Sequence, residues 1–236
     1  MANLLSYLAL CRVSNLPTVW SNAAAAALLC SAPVSGSALC TLIASLSFFY
    51  TGGMALNDLC DAQYDRVHRP ERPIAAGRIT LNEARLATFL LFAAGSAGLA
   101  TLPRAGAAAG AAAALFAVIV LYDLYHKGNP LSVLLMAGCR FLVYLVAGLG
   151  LAGELNRPLL ALGLIQFGYI ILLSLAARYE NLLPRLPYPP IPLLIAAICL
   201  VDGAFLSIWF TNYLWLLAGA AGMLATLFGQ RYVRGD

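Results

Sequence analysis

The residues that could carry out chemistry are concentrated in one polar stretch, 57–65, which follows a long apolar segment. On a helix, which turns about 100° per residue, Asn57, Asp61, Asp65 and Asp58 fall at about 0°, 40°, 80° and 100° and therefore share one face. Neighbouring carboxylates at this spacing lie about 5–6 Å apart and repel by roughly 3 kcal/mol at an effective dielectric constant of about 20. A cation between them removes this repulsion, and oxygen ligands favour a hard cation such as Mg2+. A solvated acidic helix end is the alternative interpretation.

Arginine residues follow the acidic stretch directly and indicate an anion site beside the cation site. Arg66, Arg69 and Arg72 all come within a few residues of Asp65. Guanidinium groups match the geometry of phosphate oxygens. Mg2+ that is held by one or two carboxylates usually shares its coordination sphere with substrate phosphates. The sequence therefore predicts that a phosphate-bearing ligand binds here.

The composition places this stretch at the end of a membrane-spanning segment. Of the 236 residues, 62% are hydrophobic and only 10% are charged, which excludes an ordinary soluble domain. A helix needs about 20 apolar residues to cross a bilayer. Eight candidate segments span residues 16–32, 38–58, 84–102, 104–125, 131–151, 158–177, 190–209 and 212–229. The sequence therefore predicts one all-α domain over residues 1–236, a polytopic membrane helix bundle with about eight transmembrane helices in a lipid bilayer.

The distribution of basic residues predicts the orientation of the bundle. Eleven of them fall on one side of the membrane, whereas the other side has only Arg104 and Arg157. The eleven are Arg12, Arg66, Arg69, Arg72, Arg78, Arg85, Lys127, Arg178, Arg185, Arg231 and Arg234. This asymmetry predicts that both termini and the polar loops are cytoplasmic. The net charge of +4 is explained by this topology, so no nucleic-acid partner is expected.

The stretch Asn57-Asp58-Leu59-Cys60-Asp61-Ala62-Gln63-Tyr64-Asp65 resembles the NDxxDxxxD motif of the UbiA superfamily of membrane prenyltransferases. Arg72-Pro73-Ile74 and Gly77 resemble the arginine-proline and glycine pattern that follows this motif in the family. The resemblance implies a helix bundle around a cavity that opens to the lipid. The resemblance also implies that the protein binds an isoprenyl diphosphate on two Mg2+ ions in this cavity. It would then transfer the isoprenyl group to an acceptor and release diphosphate.

The resemblance also implies roles for individual residues of this motif. Asn57, Asp61 and Asp65 are the expected metal ligands, and Asp58 is expected to support the metal site from the adjacent position. Asp61 and Asp65 are therefore also candidate catalytic residues. Arg72 is expected to bind the substrate and to neutralise the diphosphate as it leaves.

The loop after the fourth apolar segment resembles a second family pattern, with changes. The family commonly has tyrosine-proline, two further residues, and then lysine-arginine. This chain has Tyr122-Asp123, two further residues, and then His126-Lys127. Lys127 is the expected diphosphate contact and a candidate catalytic residue, His126 can bind the same group when protonated, and the Tyr122 ring can stabilise an allylic cation. An anchor at the membrane interface is the alternative interpretation of His126 and Lys127.

The family's second aspartate-rich motif is replaced here by Arg178-Tyr179-Glu180-Asn181. We expect Glu180 to act as a catalytic residue that completes a second metal site, or else to pair with Arg178. Arg178 is also a candidate substrate contact, because its charge could replace part of the charge of a second metal. The eight apolar segments are one fewer than the family typically has.

Two polar residues inside apolar segments are further candidates for substrate binding. Arg140 lies about ten residues into the fifth segment, where a charge costs roughly 2.5–3.5 kcal/mol on insertion scales and is a functional candidate by default. It could pair with Asp202 or Glu180, line the cavity, or bond to backbone carbonyls as a structural residue. Asn22, in the first segment, is a second pocket candidate.

The sequence as a whole predicts Mg2+-dependent transfer of an isoprenyl group from an isoprenyl diphosphate to a small or lipophilic acceptor that it does not identify. The resemblance is strongest to the short UbiA-like proteins of bacterial biosynthetic clusters, the Ebo type. We therefore expect a bacterial inner-membrane protein, and the charge asymmetry predicts that its active site lies on the cytoplasmic side. A non-catalytic carrier of isoprenoid lipids is the alternative. A small-solute transporter would be expected to show broken spans in matching halves, and these are not evident.

Overall fold

The computed structural model describes residues 4–127, 129–179 and 190–233, and these residues form helices and loops without a strand. The helices are α1 (Leu4–Leu10), α2 (Leu16–Leu29), α3 (Gly36–Cys60), α4 (Ala62–His68), α5 (Leu81–Ala100), α6 (Ala105–Tyr125), α7 (Ser132–Ala152), α8 (Arg157–Tyr179), α9 (Pro190–Ala196), α10 (Ile198–Trp209) and α11 (Leu214–Gln230). A short 3-10 turn, Val13–Asn15, precedes α2. The prediction of an all-α helix bundle is confirmed.

Each of the eight apolar segments corresponds to one helix or, at 190–209, to the consecutive helices α9 and α10. Within the described residues, five stretches are long and apolar enough to cross a membrane: α3, α6, α7, Arg157–Arg178 and Ile191–Trp209. Helices α2 and α11 have only 14 and 17 residues. The predicted number of eight transmembrane helices therefore stays a prediction.

The acidic stretch lies at the junction of α3 and α4. Helix α3 begins after Ser35, whose side-chain oxygen accepts a hydrogen bond from the backbone N–H of Ala38. It ends at Cys60, and Asp61 is the cap residue shared by α3 and α4. Hydrogen bonds from the N–H of Asp61 to the carbonyl of Asn57, and from that of Asp65 to the carbonyl of Asp61, are both 2.9 Å long. Helical hydrogen bonding thus continues through the junction.

The long helices pack so that a cavity remains among them. Helix α3 packs against α5, α6 against α7, and α7 against α8, while α10 packs against α11. Helix α2 lies between these groups and contacts α3, α7, α10 and α11. Its alanines Ala23, Ala25 and Ala26 are almost completely buried. Small side chains at these positions allow close contact between helices, as is common in membrane bundles.

Helices α10 and α11 meet at two glycines. A Cβ atom added to Gly203 would lie 2.6 Å from the carbonyl oxygen of Trp215, and one added to Gly219 would lie 2.6 Å from the carbonyl oxygen of Cys199. Carbon and oxygen atoms that are not bonded do not approach so closely. The two backbones can therefore pack at this separation only because both positions lack a side chain.

This close contact predicts that Gly203→Ala destabilises the bundle, because α10 and α11 must separate to admit the methyl group. Overpacking of this kind typically costs about 1–3 kcal/mol. Gly110→Ala in α6 is the matched control, since no atom lies within 4 Å of an added Cβ there. Alanine in a helix interior is favoured over glycine by about 0.8–1 kcal/mol, so this variant should be at least as stable as the wild type. Thermal unfolding in one detergent compares them, and equal stability of both variants would contradict the packing argument.

Candidate metal and diphosphate site

A cavity of about 750 Å³ lies inside the bundle. A cluster of charged side chains lines one part of it, the polar end, and mostly apolar side chains line the rest. The polar residues that line it include Asn57, Asp61, Asp65, Arg72, His126 and Lys127. The apolar residues include Leu46, Phe49, Leu115, Val143, Ile170 and Leu173, from α3, α6, α7 and α8. A cavity of this kind can take a ligand that has a charged head and a hydrocarbon tail.

The acidic stretch contributes three of its four polar residues to this cavity. Asn57, Asp61 and Asp65 line the wall, and each is less than a tenth exposed. Asp58 is also buried, but it is not a lining residue. Its Oδ1 atom lies 3.1 Å from Nη2 of Arg12 and 3.3 Å from Nη1 of Arg72. The structure thus separates Asp58, which pairs with arginines, from the three residues that face the cavity.

Arg72 occupies the space among the carboxylates. Its Nη1 atom lies 2.8 Å from Oδ2 of Asp65, 3.3 Å from Oδ1 of Asp58 and 3.9 Å from Oδ2 of Asp61. The Arg72 side chain is only 12% exposed. A single guanidinium group therefore supplies the cation that the spacing of the acidic residues requires.

The loop after α4 holds Arg72 in this place. The N–H groups of Arg78 and Ile79 both donate to the carbonyl of Pro73, and Gly77 has a φ of +69°, which glycine adopts at little cost. Ile74 and Ile79 are buried against α1, α3, α4 and α5, in a cluster that includes Leu10, Ala55, Ala62 and Ala84. Burial of the two isoleucines fixes the loop, and the fixed loop directs Arg72 toward the carboxylates.

Asp61 has two further basic partners at the end of α6. Nζ of Lys127 lies 2.7 Å from Oδ1 of Asp61, and Nε2 of His126 lies 3.4 Å from its Oδ2. Burial raises the pKa of Asp61, but the hydrogen bonds from His126 and Lys127 outweigh it and lower the pKa below its usual value. The hydrogen bond between His126 and Asp61 raises the pKa of His126, so the protonated form of the imidazole is favoured. Lys127 also lies over the ring of Tyr64, 4.1 Å from the centroid.

Tyr122 and Arg178 line the same cavity. The Tyr122 ring stacks on His126 with the centroids 5.1 Å apart. Arg178 donates a 2.8 Å hydrogen bond to the carbonyl of Asn129, which holds it beside the start of α7. Glu180, the expected residue of a second metal site, lies outside the described residues, so that expectation stays a prediction.

Arg140 lies deeper in the cavity and is attached to a buried polar network. Its Nη1 donates a 2.5 Å hydrogen bond to Oδ1 of Asn22, and Nδ2 of Asn22 donates to Oδ2 of Asp202 at 2.7 Å. Asp202 is 1% exposed and also accepts hydrogen bonds from Ser21, Tyr144 and Gln166. The sequence offered a direct pairing of Arg140 with Asp202 as one possibility. In the structure the two residues are connected only indirectly, through Asn22. Arg140 lines the cavity, whereas Asn22 and Asp202 support it from behind.

Sequence reasoning missed two residues of the site. Arg12 was interpreted only as a topological charge, but it pairs with Asp58 and donates to Sδ of Met54 at 3.5 Å. Asp123 is buried on α6, lines the cavity and accepts a 3.1 Å hydrogen bond from Nδ2 of Asn57. No spacing pattern connects Arg12 with Asp58. The signal for Asp123 was present, because it stands where the resemblance expects a proline.

The oxygen donors Asn57, Asp61 and Asp65 fit a hard cation such as Mg2+. Over residues 4–127, 129–179 and 190–233, however, no three His, Cys, Asp or Glu side chains converge in a metal-binding geometry. Arg72 and Lys127 instead form ion pairs with Asp65 and Asp61. A metal ion can bind to these donors if the two basic side chains give up their contacts.

Comparison with known proteins identifies the family. Residues 14–234 match the model of the UbiA prenyltransferase family, so the chain belongs to that family. Digeranylgeranylglyceryl phosphate synthase of Ignicoccus hospitalis is 35% identical over 176 residues, which are 72% of this chain and 56% of that protein. The synthase of the same name from Sulfolobus acidocaldarius is 31% identical over 139 residues, 57% of this chain and 46% of that protein. The chain thus spans about half the length of these curated relatives.

Solved structures show the same fold at low sequence identity. A structure described as digeranylgeranylglyceryl phosphate synthase in membranes aligns with a TM-score of 0.65 at 19% identity, over 96% of this chain and 93% of that chain. A UbiA homologue from Archaeoglobus fulgidus, solved with GPP and Mg2+, aligns with a TM-score of 0.62 at 17% identity, over 94% and 85% of the chains. The predicted superfamily and fold are confirmed. The Ebo-type branch, the bacterial origin and the cytoplasmic orientation stay predictions.

The contacts of Arg72 predict that Arg72→Gln destabilises the protein in the absence of divalent metal. The variant leaves Asp58 and Asp65 buried with less positive charge, and breaking a buried ion pair on one side costs about 3 kcal/mol. Added Mg2+ should recover part of the loss, because it neutralises the same carboxylates. Arg66→Gln, which removes a charge from an exposed position on α4, is the control. Thermal unfolding with EDTA and with Mg2+ measures both effects, and an Arg72→Gln protein as stable as Arg66→Gln in EDTA would refute the role of Arg72.

Proposed function

We propose that this protein is a Mg2+-dependent prenyltransferase that moves an isoprenyl group from an isoprenyl diphosphate to an acceptor. The observation that carries the proposal is the cavity, which Asn57, Asp61 and Asp65 line at its polar end and which mostly apolar side chains line elsewhere. Membership of the UbiA prenyltransferase family supports the same activity. The diphosphate head would bind at the polar end, and the isoprenyl tail would lie along the apolar wall.

The basic residues then have a role both with and without the substrate. Asn57, Asp61 and Asp65 would hold Mg2+, which when bound supplies positive charge to the diphosphate. Arg72 and Lys127 neutralise the carboxylates in the structure. With Mg2+ bound to the carboxylates, the side chains of Arg72 and Lys127 would donate to phosphate oxygens, which accept strongly from guanidinium and ammonium groups. Arg178, in the last turn of α8, adds a third positive charge to the cavity lining.

The apolar wall protects the reacting carbon. As the bond between the isoprenyl carbon and the diphosphate oxygen breaks, the electron pair leaves with the diphosphate and an allylic cation develops. Leu115, Val143 and Leu173 keep water away from this cation, while the Tyr122 ring can stabilise it. The acceptor oxygen forms the new bond and releases its proton, and the departing diphosphate is a base that can take this proton.

The acceptor is the finer part of the proposal. The curated relatives are named digeranylgeranylglyceryl phosphate synthases, and we propose that this chain likewise prenylates a glyceryl phosphate type of acceptor. Arg140 supports this choice, because it lies about 12 Å along α7 from Ser132 and thus deeper than Lys127. Within the described residues it has no carboxylate partner within 4 Å, only Asn22 and Thr18. An acceptor with its own anionic group would supply the missing counter-charge.

The test of the activity is a product search by mass spectrometry. Purified protein receives Mg2+, isoprenyl diphosphates of several lengths and an isoprenyl glyceryl phosphate. A prenylated product should form with Mg2+ and be absent in EDTA. Asp61→Ala and Asp65→Ala should each weaken Mg2+-dependent binding of the diphosphate at least tenfold, which is about 1.4 kcal/mol. Glu154→Gln, which removes a carboxylate that does not line the cavity, is the control. Unchanged binding in both aspartate variants would eliminate the proposed metal site.

A separate prediction tests the acceptor. Arg140→Gln should raise the KM for the glyceryl phosphate acceptor about tenfold and leave Mg2+-dependent binding of the isoprenyl diphosphate unchanged. Arg140→Lys keeps the charge and should recover part of the loss. Arg157→Gln, at the start of α8 and outside the cavity lining, is the control. If Arg140→Gln lowers the stability without changing this KM, Arg140 is a structural residue and the acceptor binds elsewhere.

The alternative, a non-catalytic binder of isoprenoid lipids, has one observation in its favour. Arg72, Lys127 and His126 already neutralise the carboxylates in the part of the chain that the structure describes, so the cluster can persist without a metal. This reading predicts binding of isoprenyl diphosphates that EDTA does not weaken and that yields no product with any acceptor. The same assays therefore separate the two functions.

A further inference from the structure

Asp123 is a buried acidic residue, and one of its two side-chain oxygens has no hydrogen-bond partner among the described residues. It is 5% exposed, and its Oδ1 accepts a hydrogen bond from Nδ2 of Asn57. Its Oδ2 atom is shielded from solvent and has no hydrogen-bond partner among the described residues. A buried acceptor without a partner costs roughly 1–3 kcal/mol, and more when it carries a charge. Such a group at the wall of a functional cavity therefore requires an explanation.

Asp123 differs from the other three acidic residues of the site, because each of those three pairs with a basic side chain. Asp58 pairs with Arg12, Asp65 with Arg72, and Asp61 with Lys127. Among the described residues, no basic side chain lies within 4 Å of the Asp123 carboxylate. Asp123 is therefore the one carboxyl group of these four that has no ion-pair partner in the part of the chain that the structure describes.

The hydrogen bond between Asn57 and Asp123 also orients the amide of Asn57. Because Nδ2 donates to Asp123, the other end of the amide, Oδ1, is the end that remains for a cation. Asn57 lines the cavity, as does Asp123. An asparagine that is free to rotate would present its NH2 group to the cation in half of its orientations. Asp123 removes that orientation.

From these contacts we propose that Asp123 belongs to the metal site, where it orients Asn57 as a ligand and supplies negative charge to the divalent cation. The proposal rests on the proposed function, since it presupposes that a metal binds at Asn57, Asp61 and Asp65. Asp123 is a positioning residue, and its own carboxylate makes the site more attractive to a doubly charged ion. It comes from α6, so it joins the metal site on α3 and α4 to the loop that carries His126 and Lys127.

The discriminating variant is Asp123→Asn. The new side chain has nearly the same shape, and its Oδ1 can still accept the hydrogen bond from Asn57, but the charge is gone. Binding of Mn2+ alone, which prefers the same oxygen ligands as Mg2+, is followed by electron paramagnetic resonance of the free ion. We expect the Kd for Mn2+ to rise about tenfold, and Asp123→Ala, which also loses the hydrogen bond, to raise it further. Glu154→Gln, which removes a carboxylate outside the cavity lining, should leave the Kd unchanged.

Thermal unfolding in EDTA provides a second readout that a structural role would not produce. Without metal, Asp123→Asn should be at least as stable as the wild type, because it removes a buried charge without a partner. Its stabilisation by added Mn2+ should be smaller than that of the wild type. An unchanged Kd for Mn2+, or a variant that is clearly less stable or unfolded in EDTA, would overturn the proposal. If the wild type itself binds no Mn2+, the proposed function fails instead, so the two failures are distinguishable.

Discussion

The structure depends on the compensation of negative charge at one end of an apolar helix bundle. Four carboxylates from α3, α4 and α6 lie together there, and their mutual repulsion would separate the helices if nothing opposed it. Arg12 before α2, Arg72 in the loop after α4, and Lys127 after α6 provide the opposing charges. Each basic residue comes from a different segment, so the ion pairs also hold the ends of the helices together around the mouth of the cavity.

The same ion pairs explain how a metal-type site can exist without a preformed metal geometry. Arg72 stands among three carboxylates, and Lys127 contacts Asp61 at 2.7 Å. These contacts hold the carboxylates in a common region but not at a common point. A divalent cation and a diphosphate would exchange partners with these groups, so that carboxylates bind the metal and basic groups bind the phosphate. The net charge of the site changes little in such an exchange, which is favourable next to a low-dielectric wall.

A second polar network stabilises a buried acidic side chain with hydrogen bonds from neutral groups instead of ion pairs. Asp202 is buried inside the bundle, far along the chain from the acidic stretch, and accepts hydrogen bonds from Ser21, Asn22, Tyr144 and Gln166. These neutral donors from α2, α7 and α8 satisfy both carboxylate oxygens. The positive charge of Arg140 reaches the network only through Asn22. The network fixes the position of Arg140 in the cavity wall and, by joining four helices, also stabilises the bundle.

The sequence by itself determined the helical class, the membrane composition, the family and the residues of the acidic stretch. The helical class and the membrane composition follow from hydropathy over about 20 residues, and the common face of the acidic stretch follows from a helical spacing of three to four residues. The family follows from the resemblance of the motif over 57–65. All of these signals are local in the sequence. Tertiary structure alone decided that Asp58 turns away from the cavity toward Arg12, that Arg72 stands among the carboxylates, and that Asp123 holds Asn57. Each of these contacts joins segments that are not neighbours on one helix face. The pairing of two charges across a cavity depends on how whole helices pack, and no periodicity within one segment contains that information.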